Sequence, residues 1–182
     1  KRDAGGPPPD KELLHEAGRA FMLAQFLDSG CEEAEDEMEQ LQKLKEEVVA
    51  LRQELESKQW GRAVLAAPEA TRLYISSRNI GNDGVTLLAR WAQASGSVAN
   101  LKELKLWENQ IGDAGMKEFA AALMSGSGAL PSLKELYLYN NQIGDDGLKA
   151  LASACASGAL DKLTYLRLDG NAIGDAGLQA LA

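Results

Sequence analysis

Apolar residues recur along this chain with two different periods, and the period changes at regular intervals. Leu104-x-Leu106, Leu136-x-Leu138 and Leu166-x-Leu168 alternate with period two, as a short strand with one buried face requires. After each strand the spacing shifts to that of a helix: Met116, Phe119, Ala120 and Leu123 recur as Leu148, Leu151, Ala152 and Cys155, then as Leu178, Leu181 and Ala182. A fainter first copy supplies Leu73-x-Ile75 and then Val85, Leu88, Ala89 and Ala92. Aligned on Ile80, Ile111, Ile143 and Ile173, the copies are spaced by 31, 32 and 30 residues. Leu130 and Leu160 anchor the loops that lead back to the next strand.

Polar positions repeat with the apolar ones. Asn109, Asn141 and Asn171 follow each strand, and a buried amide is tolerable only if hydrogen-bonded, so the spacing predicts an asparagine ladder to turn backbone of its own and neighbouring coils. In the first copy Arg78 takes that place and Asn79 comes one residue late. Gly112, Gly144 and Gly174 suggest turns with positive φ, and Asp113, Asp145 and Asp175 are placed to cap the helix that follows each of them. Gly126, Gly128 and Gly158 mark loops.

The segments LKELKLWENQIGDAGMKEFAAAL, LKELYLYNNQIGDDGLKALASAC and LTYLRLDGNAIGDAGLQALA, with TRLYISSRNIGNDGVTLLARWA before them, carry the L-x-x-L-x-L-x-x-N pattern of leucine-rich repeats. The region from about residue 71 to 182 closely resembles the ribonuclease-inhibitor class, which also occurs in NOD-like receptors. The resemblance implies an α/β solenoid, with parallel strands on the inner, concave side and helices outside. It implies protein binding and no shared reaction. No G-x-x-x-x-G-K-[ST] motif accompanies it.

Ahead of the repeats the pattern is helical. Residues 1–10, with three consecutive prolines, read as a flexible tail, and residues 11–59 as two helices. The first runs to about Leu27 with Leu14, Ala17 and Phe21 in a stripe and Ser29-Gly30 after it. The second spans about Glu32 to Lys58, and Leu41, Leu44, Val48, Leu51 and Leu55 follow the 3-4 spacing of a coiled-coil seam. That seam either caps the first repeat or pairs with a partner helix. Residues 60–182 form the repeat domain, with about four copies, the last incomplete and the stretch from Trp60 to Ala70 leading into its cap.

Charge and chemistry narrow the function. Residues 1–60 hold 8 Lys/Arg against 15 Asp/Glu, whereas the repeats hold 11 against 12. That balance argues against nucleic acid. No apolar run approaches a membrane span. One histidine, His15, and two distant cysteines, Cys31 and Cys155, give no metal site, no nucleophile constellation and no disulfide framework. The expectation is no catalytic residue, no cofactor and no metal, in a reducing intracellular compartment, the cytoplasm or an organelle if a targeting segment has been removed. The chain starts at Lys1, not at methionine.

What packing does not explain is the face between the leucines. Tyr74, Lys105, Tyr137 and Arg167 form one column there, Ser76, Trp107, Tyr139 and Asp169 the next, and Glu103, Glu135 and Tyr165 flank them. Tyrosine, tryptophan and arginine dominate binding energy at interfaces. The expected function is therefore a scaffold or adaptor that holds a protein partner on this face. The alternatives are an accessory subunit built into a large complex and a regulatory piece of a larger receptor or enzyme. The last repeat ends inside its helix, so a further capping element or a partner is expected over Leu166, Leu168, Ile173 and Leu178.

Overall fold

The computed structural model describes residues 32–66, 70–125 and 130–181. The tail, the first proposed helix, His15 and Cys31 lie outside them. The described elements are α1 (Glu32–Ser57), α2 (Gly61–Leu65), β1 (Arg72–Tyr74), α3 (Gly81–Ser95), β2 (Glu103–Lys105), α4 (Asp113–Met124), β3 (Glu135–Tyr137), α5 (Asp145–Ala156), β4 (Tyr165–Arg167) and α6 (Asp175–Gln179). The four strands form one parallel sheet in sequence order. Equal positions of the copies sit side by side: Leu73, Leu104, Leu136 and Leu166 share one row, and Tyr74, Lys105, Tyr137 and Arg167 another. This is a leucine-rich-repeat solenoid, strand and helix alternating once per coil.

The chain divides into two compact units, Lys1–Ala50 and Leu51–Ala182, so the last turns of α1 belong with the repeats. In the first unit, Leu41, Leu44 and Val48 are half-buried and Val49 is exposed. In the second, Leu51 and Leu55 are buried with Trp60 and Val64. The apolar seam of α1 is thus divided. Leu51 and Leu55 are consumed by the chain's own core and are not on offer for pairing with another helix; only Leu41, Leu44 and Val48 keep exposed surface.

The repeat core is regular. Leu104, Leu106, Ile111, Met116, Leu136, Leu138, Ile143, Leu148 and Leu151 are fully buried, as are Phe119 and Ala120 of α4. The last coil is more open: Leu166, Leu168 and Ile173 are half-buried, and Leu178 is 56% exposed. The asparagine ladder forms as its register predicts. Asn109 Nδ2 donates to the carbonyls of Ile75 (2.8 Å) and Leu106 (3.0 Å), and its Oδ1 accepts from the amide of Arg78 (2.9 Å). Asn141 and Asn171 repeat the arrangement one coil further on each time. Asn109 thereby reaches back to order the first coil, whose own position carries Arg78 and no amide.

Two expectations about the turns fail together, for one reason. Gly112, Gly144 and Gly174 have φ of −111°, −103° and −103°, an ordinary extended backbone. Nor do the aspartates cap their own helices. Asp113 Oδ1 accepts the amides of Gly144 (2.7 Å) and Gly147 (2.8 Å) in the next coil, and Asp145 Oδ1 accepts those of Gly174 (2.7 Å) and Gly177 (3.0 Å). In the first coil Asn82 accepts the amide of Gly112 at 2.8 Å. Each carboxylate caps the neighbouring helix sideways, and glycine is needed where it closes in. A Cβ built on Gly147 would lie 2.6 Å from Asp113 Oδ1. Asp113→Ala should cost about 1–2 kcal/mol, the usual range for losing a helix cap. Gly147→Ala should also destabilise, but the double variant by less than the two costs added, because the atom in collision is gone. Urea unfolding of the four proteins checks this, and strict additivity would refute the contact.

Candidate functional site

The strand residues between the leucines form the sheet face opposite the helices, and the parallel register fixes what they meet. Adjacent strands lie about 4.8 Å apart, so equal positions stack on one another. Trp107 and Tyr139 are nearly coplanar stacked rings, 5.3 Å between centroids and 9° between planes. The Arg167 guanidinium lies 4.2 Å from the Tyr139 centroid, which extends the stack to a third strand. In the neighbouring column Lys105 Nζ sits between two rings, 4.5 Å from the centre of Tyr74 and 5.0 Å from that of Tyr137. Tyr137 in turn leans on Tyr165, 5.2 Å away at 43°. Tyr74, Lys105, Trp107, Tyr137, Tyr139, Tyr165 and Arg167 therefore lie on one strip of the sheet face. Tyr74 and Tyr165 are about half exposed; Lys105, Trp107, Tyr137 and Tyr139 are partly covered by one another. Ser76, at the start of the outer column, has a buried hydroxyl with no partner.

Charge on the strip is tied down locally. Glu103 accepts from Lys105 Nζ (2.9 Å), Arg72 Nε (3.1 Å) and the Tyr74 hydroxyl (3.0 Å). The lysine hydrogen bond is the main reason its carboxyl is held below the usual range, and the same bond raises Lys105. Arg167 and Asp169 form a two-point pair at 2.7 and 3.3 Å, which lowers the aspartate and raises the arginine. Glu135 accepts the Tyr137 hydroxyl at 2.7 Å. That bond pushes the Tyr137 phenol up to about 12.

This last effect is directly testable. Tyr137 is expected to ionise only at about pH 12 in an ultraviolet titration, and Glu135→Gln should bring it down. Because the folded value is raised, the stabilisation from this bond is complete below about pH 10, the ordinary phenol value, and is lost as pH rises through about 12. An unchanged titration in Glu135→Gln would remove the hydrogen bond as the cause.

A row of turn residues beside the strip has no counterpart in the sequence reading. Ser77, Glu108 and Asn140 all adopt left-handed φ, 53°, 57° and 54°, and Gly170 follows with 69°. The Ser77 hydroxyl donates to Glu108 at 2.9 Å and the Asn140 amide to the same carboxylate at 3.4 Å. Asparagine and glycine at equal positions of two coils are the signal that marks the row. On the outer side of the sheet, Cys155 is partly buried, and burial pushes its thiol up, the opposite of an activated nucleophile. Among the described residues no group of three His, Cys, Asp or Glu could hold a metal ion, and no helix is long and apolar enough to cross a membrane.

The family comparison agrees with the architecture. The leucine-rich-repeat family model matches residues 99–120, 129–152 and 161–182, the second, third and fourth coils. The chain carries leucine-rich repeats, a class whose members generally mediate protein–protein interaction. Among solved structures, an internalin (inlF) from Listeria monocytogenes str. 4b F2365 is 24% identical, over 53% of this chain and 28% of that one, with a TM-score of 0.30. This chain spans about a quarter of that protein's length. No curated protein matches the chain.

Proposed function

We propose that the protein is a non-enzymatic scaffold or adaptor that holds a protein partner on the concave, strand side of its repeats. The observation that carries this is the stacked strip from Tyr74 to Arg167. Core packing asks nothing of these positions, yet they hold five large aromatic side chains interleaved with two cations. Aromatic and arginine side chains held rigid before binding lose little entropy on contact, which is what makes them effective interface anchors. The coils also favour the ribonuclease-inhibitor class within the leucine-rich repeats, since the spacing is 30–32 residues and α4 and α5 each give the coil a full three-turn helix.

Trp107→Ala with Tyr139→Ala is the test. The pair should weaken capture of partners identified by pull-down and mass spectrometry by about 30-fold or more, the scale of a lost hot spot. Stability should fall by only about 1–2 kcal/mol, since the stack is solvent-facing and a ring pair contributes about 0.5–1.5 kcal/mol. Undiminished capture would reject the strip as the binding face.

A further inference from the structure

The strip's charges and ring orientations point to the chemistry of the partner, and this inference rests on the proposed binding face. Every cation in the strand columns already has a carboxylate: Arg72 and Lys105 share Glu103, and Arg167 has Asp169. The reverse does not hold. Among the described residues, Glu135 is bonded only to the neutral Tyr137 hydroxyl, and Glu108 only to the neutral Ser77 hydroxyl and Asn140 amide. The other basic residues nearby stand at the rims. Arg78 is in the first turn, and Lys102 and Lys134 come one residue before the strands, where strand alternation points them away from the columns. Among the described residues, these two carboxylates flanking the rings thus have no cation hydrogen-bonded to them, and Lys105, committed to Glu103, reaches Glu135 only through space.

The rings close off other chemistries. Trp107 and Tyr139 face one another, and Tyr139 carries Arg167 on its ring, so both faces of Tyr139 and one face of Trp107 are taken. Stacked side by side across the sheet, the two rings present edges outward and form no open aromatic cage. An aliphatic stem can lie along such edges while its charged head reaches a carboxylate, which is how lysine and arginine cover apolar surface. Glu135 shares the register of Glu103, and Glu108 lies five residues further along the neighbouring coil. At about 3.3 Å per residue that is roughly 15 Å, within reach of five or six residues of extended chain.

We propose that the partner contributes an extended segment with two basic side chains, one seated on Glu135 and one on Glu108, their stems lying across Trp107, Tyr137 and Tyr139. A random dodecamer library displayed on phage and selected on the full chain tests this, with counter-selection on the Trp107→Ala/Tyr139→Ala protein. Circular dichroism melts of each variant verify folding. The expected result is peptides enriched in Lys/Arg pairs four or five residues apart. Their affinity should fall about 3–10-fold in Glu135→Gln and again in Glu108→Gln, and should weaken as salt is raised from 0.05 to 0.5 M, which shortens the screening length. Peptides that need Trp107 and Tyr139 but are acidic or neutral, or that ignore both glutamine changes, would overturn the basic-segment proposal and leave the binding face standing. A library that yields no binder overturns the extended segment alone. Binders that are indifferent to Trp107 and Tyr139 overturn the face as well.

Discussion

Asn141→Ala is expected to destabilise the protein by about 2–4 kcal/mol, more than any change on the strip. Asn141 Oδ1 accepts the amides of Asn109 and Ile111, both at 3.0 Å, and Nδ2 donates to the carbonyls of Leu106 (3.0 Å) and Leu138 (2.9 Å). The Leu106 and Leu138 carbonyls keep second donors in Asn109 and Asn171, so alanine strands two buried backbone groups, the amides of Asn109 and Ile111. Each unsatisfied buried group costs about 1–3 kcal/mol, and water reaching the gap offsets part of the sum. Asn171 offers a control. It makes the same kind of bonds at a half-buried position, where water replaces them more readily. Asn171→Ala should therefore cost clearly less. Urea unfolding of both variants gives the comparison, and equal losses would show that burial of the ladder is not what makes it count.

The ladder was legible in the sequence because its logic is one residue type at one register. The same holds for the strands, the helices and the strip, whose columns follow from alternation alone. What the sequence hid is which coil a side chain serves. In a solenoid every position has a copy about 30 residues away in sequence but about 5 Å away in space, as near as its own backbone. Asp113 is next to Gly112 in the chain, so a local cap looks natural; its carboxylate instead bonds Gly144 and Gly147. The glycine two places after each aspartate was the missing clue, since it leaves room for the carboxylate of the preceding coil. The seam of α1 was ambiguous for a similar reason. Heptad spacing records that Leu51 and Leu55 are to be buried, but not against what. The ring pairs of the strip were legible as columns, yet whether Lys105 would lie between Tyr74 and Tyr137 depends on rotamers that spacing does not encode.

Gly61→Ala is expected to undo the cap at the start of the repeats, at a cost of about 3 kcal/mol or more. After α1 the chain turns back on itself: the amide of Lys58 bonds the Leu55 carbonyl at 3.0 Å, and the amide of Gly61 bonds the Lys58 carbonyl at 3.1 Å. The turn is so tight that a Cβ on Gly61 would lie 1.9 Å from the Leu55 carbonyl oxygen, 2.6 Å from its carbon and 2.9 Å from the Leu55 Cα. All three are backbone atoms, so no side chain can swing aside. Ordinary overpacking costs about 1–3 kcal/mol because neighbours yield. Here relief requires moving the helix end that carries Leu55, or α2 with Val64, and both side chains are almost completely buried. Gly81→Ala separates this collision from a general intolerance of glycine replacement. Gly81 has nothing within 4 Å of its Cβ position and only a φ of +60° to strain, worth about 1 kcal/mol. Amide hydrogen exchange should show where the damage goes. In Gly61→Ala the amides of Ile75 and Ser77, bonded to the second coil at 3.1 and 3.0 Å, should lose protection first. Those of Leu106 and Leu138, one and two coils further in, should keep more of it, because each coil depends chiefly on its neighbours. A Gly61→Ala protein that unfolds at the same urea concentration as the parent would mean that this turn opens without cost, and that Leu55 and Trp60 do not cap the repeats.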